Sequence, residues 1–211
     1  MNMLQGLFLF GNNFIGTIPD SIGQLDQLLH VRLQKNFLSG PVPTSLGLLP
    51  LNELWLNKNK LSGRIPSELG KLENIKDLRL NKNKLFGPIP EELFKMKNLV
   101  YLDLSKGSLS GTISSSISQL EDLAYFTVNN NKLTGEIPDS FGEMNLQVLL
   151  MYGNQLTGEV PQSICANKGS STGLQQLAVD CLPSATNGTV RVSCDCCDVC
   201  CDYESGVCHK V

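Results

Sequence analysis

Apolar positions along this chain recur in a fixed frame. From Leu51 the sequence reads L-x-x-L-x-L-x-x-N-x-L-x-G-x-I-P-x-x-L-G-x-L, and the same frame opens at Leu4, Leu28, Ile75, Leu99, Leu123 and Leu146. Successive starts lie 23 or 24 residues apart, so seven copies run from residue 4 to about residue 167. A period of this length marks a repeat architecture in which each copy is one coil. No copy can bury its own apolar positions alone, so stability must come from stacking on neighbours.

Each position in the frame has a mechanical reading. The opening, for example Leu51, Leu54 and Leu56, alternates as a short strand does, one face inward and one outward. An Asn follows in six copies (Asn12, Asn36, Asn59, Asn83, Asn131 and Asn154). Its amide donates and accepts at once, which predicts a polar ladder linking adjacent coils. A Gly stands in every copy, at Gly16, Gly40, Gly63, Gly87, Gly111, Gly135 and Gly158, and predicts a backbone conformation or approach that a Cβ would obstruct. Ile-Pro or Val-Pro then straightens the chain before a convex turn. The fifth copy carries Gly107 in place of the Asn and Ser114 in place of the Pro, and there we expect a softer joint.

This wording resembles the plant-type leucine-rich repeat of receptor-kinase ectodomains and cell-wall polygalacturonase inhibitors. The resemblance implies an α/β leucine-rich-repeat solenoid, with a curved parallel β-sheet on the concave face and 3₁₀ or irregular turns on the convex face. Residues 1–167 then form seven repeats, and residues 168–211 a closing strand and a Cys-rich C-terminal cap. The closing strand is Leu174-x-x-Leu177-x-Val179, an eighth copy of the strand signature. The run from Cys194 to Cys201, followed by Cys208-His209, is similar to the ends of leucine-rich-repeat proteins of diatoms and related algae.

Composition narrows the function. The chain has 211 residues, 41% hydrophobic and 18% charged, as a globular protein does. Its net charge of −3 gives no ground for a nucleic-acid partner. No stretch approaches the roughly 18 apolar residues of a membrane span, and the start lacks the basic-then-apolar order of a leader. Only three residues precede Leu4, so Leu4, Leu7, Leu9, Phe14, Ile18 and Ile22 are expected to face water on one side. We therefore expect either a fragment without its leader and N-terminal cap or a short protein that dimerises through this edge.

Charge is unevenly placed. Residues 28–110 hold 13 basic and 7 acidic side chains, and the remainder holds 4 and 13. Stacking puts Phe8, Arg32, Trp55, Arg79, Asp103, Thr127 and Leu150 in one outward row, with Tyr152 in the row beyond. Lys35, Lys58, Lys82 and Lys106 form a basic stripe. The expected ligand-binding residues on the concave face are therefore Arg32, Lys35, Trp55, Lys58, Arg79, Lys82, Lys106 and Tyr152. Aromatic and Arg side chains dominate binding hot spots. A like-charged stripe suits a protein or peptide ligand that is acidic, or an anionic polysaccharide, although lysines at a strand edge also serve simply to keep it unpaired. His30, Glu53 and Asp77 share a row as well, but on an open surface they read as ion pairs, not as an enzyme centre. No phosphate loop, nucleophile elbow or His-Glu-x-x-His is present, and no enzyme activity or cofactor is expected.

Eight cysteines are confined to the end: Cys165, Cys181, Cys194, Cys196, Cys197, Cys200, Cys201 and Cys208. With the sequon at Asn187 they favour a disulfide-stapled, glycosylated, extracellular or cell-surface protein. The rival is a zinc set drawn from Cys196, Cys197, Cys200, Cys201, Cys208 and His209, on an intracellular scaffold. The leading reading is a non-catalytic recognition module of a receptor-like ectodomain. A secreted inhibitor of a wall-degrading enzyme is the alternative.

Overall fold

The computed structural model describes residues 3–168, 173–182, 190–202 and 207–210. The Asn187 sequon lies outside the described residues. Among the latter, ten strands form one sheet, each beside its sequence neighbour. They are Gly6–Phe8, His30–Arg32, Glu53–Trp55, Asp77–Arg79, Tyr101–Asp103, Tyr125–Thr127, Val148–Leu150, Gln176–Val179, Val199–Cys201 and Cys208–Lys210. All pairings are parallel except the last. Each strand is three or four residues long because the coil must turn once per repeat. From the second strand to the ninth an inward position is buried, as Leu54, Leu78, Leu102 and Phe126 are.

The rest of each coil follows the motif. Six strands of two to four residues, from Ser39–Gly40 to Gln155–Leu156, make a second parallel sheet among the described residues. In five of them the every-copy glycine is the last residue and lies in the left-handed region, φ being +92° at Gly63, where any Cβ is strained. Single turns of 3₁₀ helix, such as Ser67–Lys71 and Glu91–Lys95, line the convex side behind an extended Pro. At Gly70 a Cβ would come 2.2 Å from the Glu92 carbonyl oxygen of the next turn, which accounts for the second glycine of the motif. In the fifth coil the Ser114 hydroxyl accepts from the Ser116 N–H and caps Ser115–Gln119, so a side chain replaces the missing Pro. Gly107 has no side-chain amide and supplies no rung.

The asparagine ladder is present. Asn131 Oδ1 accepts from the Leu109 N–H, and its Nδ2 donates to the carbonyls of Leu104 and Val128, all within 3.0 Å. Asn36, Asn59, Asn83 and Asn154 make the same three-way links. In the eighth coil Asp180 takes over. Its two carboxylate oxygens accept from the N–H groups of Gly153 and Asn154 at 2.7 and 3.0 Å. Burial pushes its pKa above the usual carboxylate range, against the pull of those two donors.

At the first coil one expectation is corrected. Leu4 and Phe14 are exposed and Leu7 and Leu9 half-buried, but Ile18 and Ile22 are buried at 5% exposure each. The turn Asp20–Gln24 packs against Thr44–Leu48 and covers them from the following coil. The exposed side is a hollow of about 510 Å³ lined by Leu7, Leu9, Phe14 and Leu25 among others. At the other end, four disulfides join Cys165 to Cys196, Cys181 to Cys200, Cys194 to Cys197 and Cys201 to Cys208. No cysteine is free, which leaves no thiolate for the zinc set and removes that alternative. Among the described residues no helix is long and apolar enough to cross a membrane.

Candidate ligand-binding face

Parallel register turns residues two dozen apart into lateral neighbours, about 4.8 Å from strand to strand. Phe8, Arg32, Trp55, Arg79, Asp103, Thr127 and Leu150 pair in sequence across the sheet. A second row runs His30, Glu53, Asp77, Tyr101, Tyr125 and Val148.

The two rows interlock into one pile. The guanidinium of Arg32 lies 4.2 Å from the Trp55 ring centre and 5.5 Å from that of Phe8. Arg79 covers the other face of Trp55 at 4.3 Å and Tyr101 at 4.2 Å. Tyr101 then stacks on Tyr125 at 5.4 Å, and the Tyr125 hydroxyl donates to Gln147 Oε1 at 2.6 Å. Carboxylates fix both arginines. Arg32 Nε and Nη2 donate to Glu53 Oε2 at 2.8 and 2.6 Å, and Arg79 binds both oxygens of Asp77 at 2.8 Å. These hydrogen bonds push the Arg79 pKa up, burial pulling the other way. Burial also pushes up the Tyr101 hydroxyl, helped by Asp103, so Tyr101 stays a neutral donor at physiological pH.

Such an arrangement is pre-organised. Each guanidinium spends Nε and Nη2 on its carboxylate and keeps Nη1 for an incoming acceptor, in a rotamer already held, so binding costs little further side-chain entropy. Glu53 and Asp77 are occupied as counter-charges. His30 Nδ1 is 3.5 Å from Glu53 Oε2, beyond a good hydrogen bond. Glu53 and Asp77 therefore make a scaffold for the arginines.

Along the next edge stand Lys35, Lys58, Lys82 and Lys106, all exposed. The Lys35 N–H donates to the Asn57 carbonyl and the Lys58 N–H to that of Asn81, which continues the sheet ladder to this edge. Their backbones lie in the left-handed region, with φ of 58, 57, 55 and 57°. Gly11, Asn130 and Gly153 hold the same position in other coils, also at positive φ. The turn thus demands a conformation that Gly or Asn takes readily and that costs Lys about 1 kcal/mol per residue. None of the four makes an ion pair with a described residue.

The profile of the Leucine Rich Repeat family matches residues 3–25, 50–72, 98–120, 122–144 and 145–167, more than half of the chain. The chain belongs to the leucine-rich-repeat family. Among solved structures it is similar to the plant peptide hormone receptor RGFR1 in complex with RGF2, at 33% identity and TM-score 0.76, over 77% of this chain and 26% of that one. It is also similar to the leucine-rich-repeat ectodomain of the membrane receptor kinase GASSHO1/SCHENGEN3 from Arabidopsis thaliana, in complex with CASPARIAN STRIP INTEGRITY FACTOR 2. That match has 35% identity and TM-score 0.78, over 83% of this chain and 21% of that one. The Arabidopsis receptor kinase HAESA, in complex with the peptide hormone IDA and a co-receptor, shares the fold over 100% of this chain and 40% of its own, at 24% identity and TM-score 0.71. The chain thus spans about a quarter of the length of the first two receptors. No curated protein matches it.

In this leucine-rich-repeat chain the structure brings together Arg32, Trp55 and Arg79, and separately the four lysines. Tyr152 is half-buried in the seventh coil, four coils beyond Trp55 and outside the pile. Trp55 offers an edge and not an open face, because a guanidinium covers each side. Sequence reasoning missed Tyr101 and Tyr125. The signal was available: they extend the row of His30, Glu53 and Asp77 by two coils.

Proposed function

We propose that the concave face is a non-catalytic recognition surface for a peptide or protein ligand, within the ectodomain of an extracellular or cell-surface receptor-like protein. The observation that carries this is the pile of Arg32, Trp55, Arg79 and Tyr101, whose charged members are locked by Glu53 and Asp77 before any ligand arrives. Acceptor groups of a peptide, backbone carbonyls or an acidic side chain, would meet the Nη1 groups, and an apolar side chain would lie against the indole edge. Similarity to a plant peptide hormone receptor supports this reading, as do four disulfides, which persist in oxidising surroundings. The disulfide-linked tail would close the module. A secreted inhibitor of a wall-degrading enzyme would use the same face, with a folded protein as its ligand.

The test is a selection. Peptides taken from a random display library on the folded, oxidised chain should lose on the order of thirtyfold in affinity, about 2 kcal/mol, with Trp55→Ala or Arg79→Ala. Lys71→Ala and Lys95→Ala on the convex turns should leave binding unchanged. Selected peptides indifferent to both concave changes and lost with the convex ones would refute the reading.

A further inference from the structure

The lysine edge carries a feature that peptide recognition by the arginine pile leaves unexplained. In the first, sixth and seventh coils the left-handed turn position is Gly11, Asn130 or Gly153, residues suited to it, whereas four consecutive coils keep Lys there at positive φ. A strained conformation held by an ill-suited residue in four adjacent repeats points to the side chain and not the turn. Each ammonium lacks a described acid partner, and its neighbours along the row carry the same charge, an arrangement that concentrates polyanions.

Beside it lies a second row with a matching deficit. Gln34 Oε1, Asn57 Oδ1 and Asn81 Oδ1 are buried acceptor oxygens for which no described residue supplies a donor, and Gln34 as a whole is only 9% exposed. Buried acceptors without donors are rare enough to need a reason, and the soft terminal amide torsion lets each turn toward a ligand. The edge therefore presents a cation seeking an anion in four successive coils, and beside it in the first three of these an oxygen seeking a donor.

We infer that this edge binds a linear anionic polysaccharide, with one acidic group per sugar and free hydroxyls, laid along the coil stack. Its carboxylates or sulfates would meet Lys35, Lys58, Lys82 and Lys106, and its hydroxyls would donate to the amide oxygens. An acidic peptide fits less well. Extended, it advances about 3.4 Å per residue and repeats on one face about every 6.8 Å, out of step with a row spaced about 4.8 Å. Lysine, a point charge on a flexible stem, also suits a mobile polymer better than a forked guanidinium would. This edge adjoins the arginine pile, two to three residues further along each coil, but the inference does not depend on the reading of that face.

The experiment compares the full oxidised chain with the variant Lys35→Asn, Lys58→Asn, Lys82→Asn, Lys106→Gly. Asn and Gly relieve the backbone, and Gly is chosen at 106 because Asn there would complete a glycosylation triplet with Ser108. Probes are de-esterified oligogalacturonate, its methyl-esterified form, chondroitin sulfate and poly-L-glutamate of similar length, titrated calorimetrically over a range of salt. Expected is binding of the two anionic glycans that weakens steeply with salt, no binding of the ester, and a loss of tenfold or more in the variant while its melting temperature holds or rises. Failure of the wild type to bind either anionic glycan at low salt would overturn the inference. So would equal glycan binding by the variant, or tighter binding of polyglutamate than of the glycans.

Discussion

Replacing Asn131 by Ala should be among the costliest single changes in this chain, although it removes no charge and little apolar surface. The side chain is buried and serves three backbone groups, the N–H of Leu109 and the carbonyls of Leu104 and Val128. Alanine abandons all three. Each buried backbone group left without a partner costs about 1–3 kcal/mol, least for the Val128 carbonyl, which Asn154 also serves, so the sum is about 3–5 kcal/mol. That is a large part of the roughly 5–15 kcal/mol by which domains are stable. Asn12 occupies the same motif position at the exposed end, where its amide donates only to the carbonyls of Leu9 and Phe10 at 3.2 Å. Asn12→Ala should therefore change stability by less than about 0.5 kcal/mol. Urea denaturation followed by circular dichroism, with disulfides intact, measures both. Because coils couple only to neighbours, Asn131→Ala should also broaden or split the transition. If the two variants fell within about 1 kcal/mol of each other, the ladder would not be what joins the coils.

Asp180 gives a pH signature. Its pKa is raised by burial above all, with the Asn154 and Gly153 N–H groups and Arg191 opposing, so the folded chain holds that proton more tightly than the unfolded one. The resulting stability is present below the ordinary carboxylate range near pH 4 and is lost as pH climbs through the raised folded value. Relative to the wild type, Asp180→Asn should thus gain melting temperature as pH rises from about 4 to 7; a relative loss would contradict the assignment. Disulfides should rank by the loop they close. Cys165→Ser with Cys196→Ser opens a separation of 31 residues and should cost about 3–4 kcal/mol, whereas Cys194→Ser with Cys197→Ser, separation 3, should cost about 2 kcal/mol. Guanidinium unfolding would read the difference, and the reverse order would count against the pairing. Gly70→Ala, which drives a Cβ to 2.2 Å from the Glu92 carbonyl oxygen, should destabilise by about 1–3 kcal/mol through separation of adjacent turns. A melting temperature equal to wild type would show that those turns are not stacked so closely.

Much of this was legible because the repeat converts sequence spacing into lateral position. The strand starts, the asparagine rungs and the rows containing Trp55 and the four lysines all follow from one period. What escaped were properties that depend on how side chains settle between coils. Nothing in Trp55 itself says that Arg32 and Arg79 will cover both its faces, since that requires the reach of each guanidinium to be set by Glu53 and Asp77. The left-handed backbone at Lys58 was hidden because Lys gives no sign of it; only Gly11, Asn130 and Gly153 at the equivalent position betray the turn. Ile18 and Ile22 were expected to face water, but a coil needs only one neighbour to bury its convex-side residues. Disulfide partners could not be read at all, since Cys196 and Cys197 are adjacent in sequence yet pair with Cys165 and Cys194.

Hydroxyl-radical footprinting of the oxidised chain, with and without a library-selected peptide, tests the recognition face most directly. The account predicts that the peptide shields Trp55 and Tyr101 from oxidation while Phe86, on the second sheet, reacts at an unchanged rate. Oxidation of Trp55 and Tyr101 that proceeds equally fast in the presence of saturating peptide would contradict it.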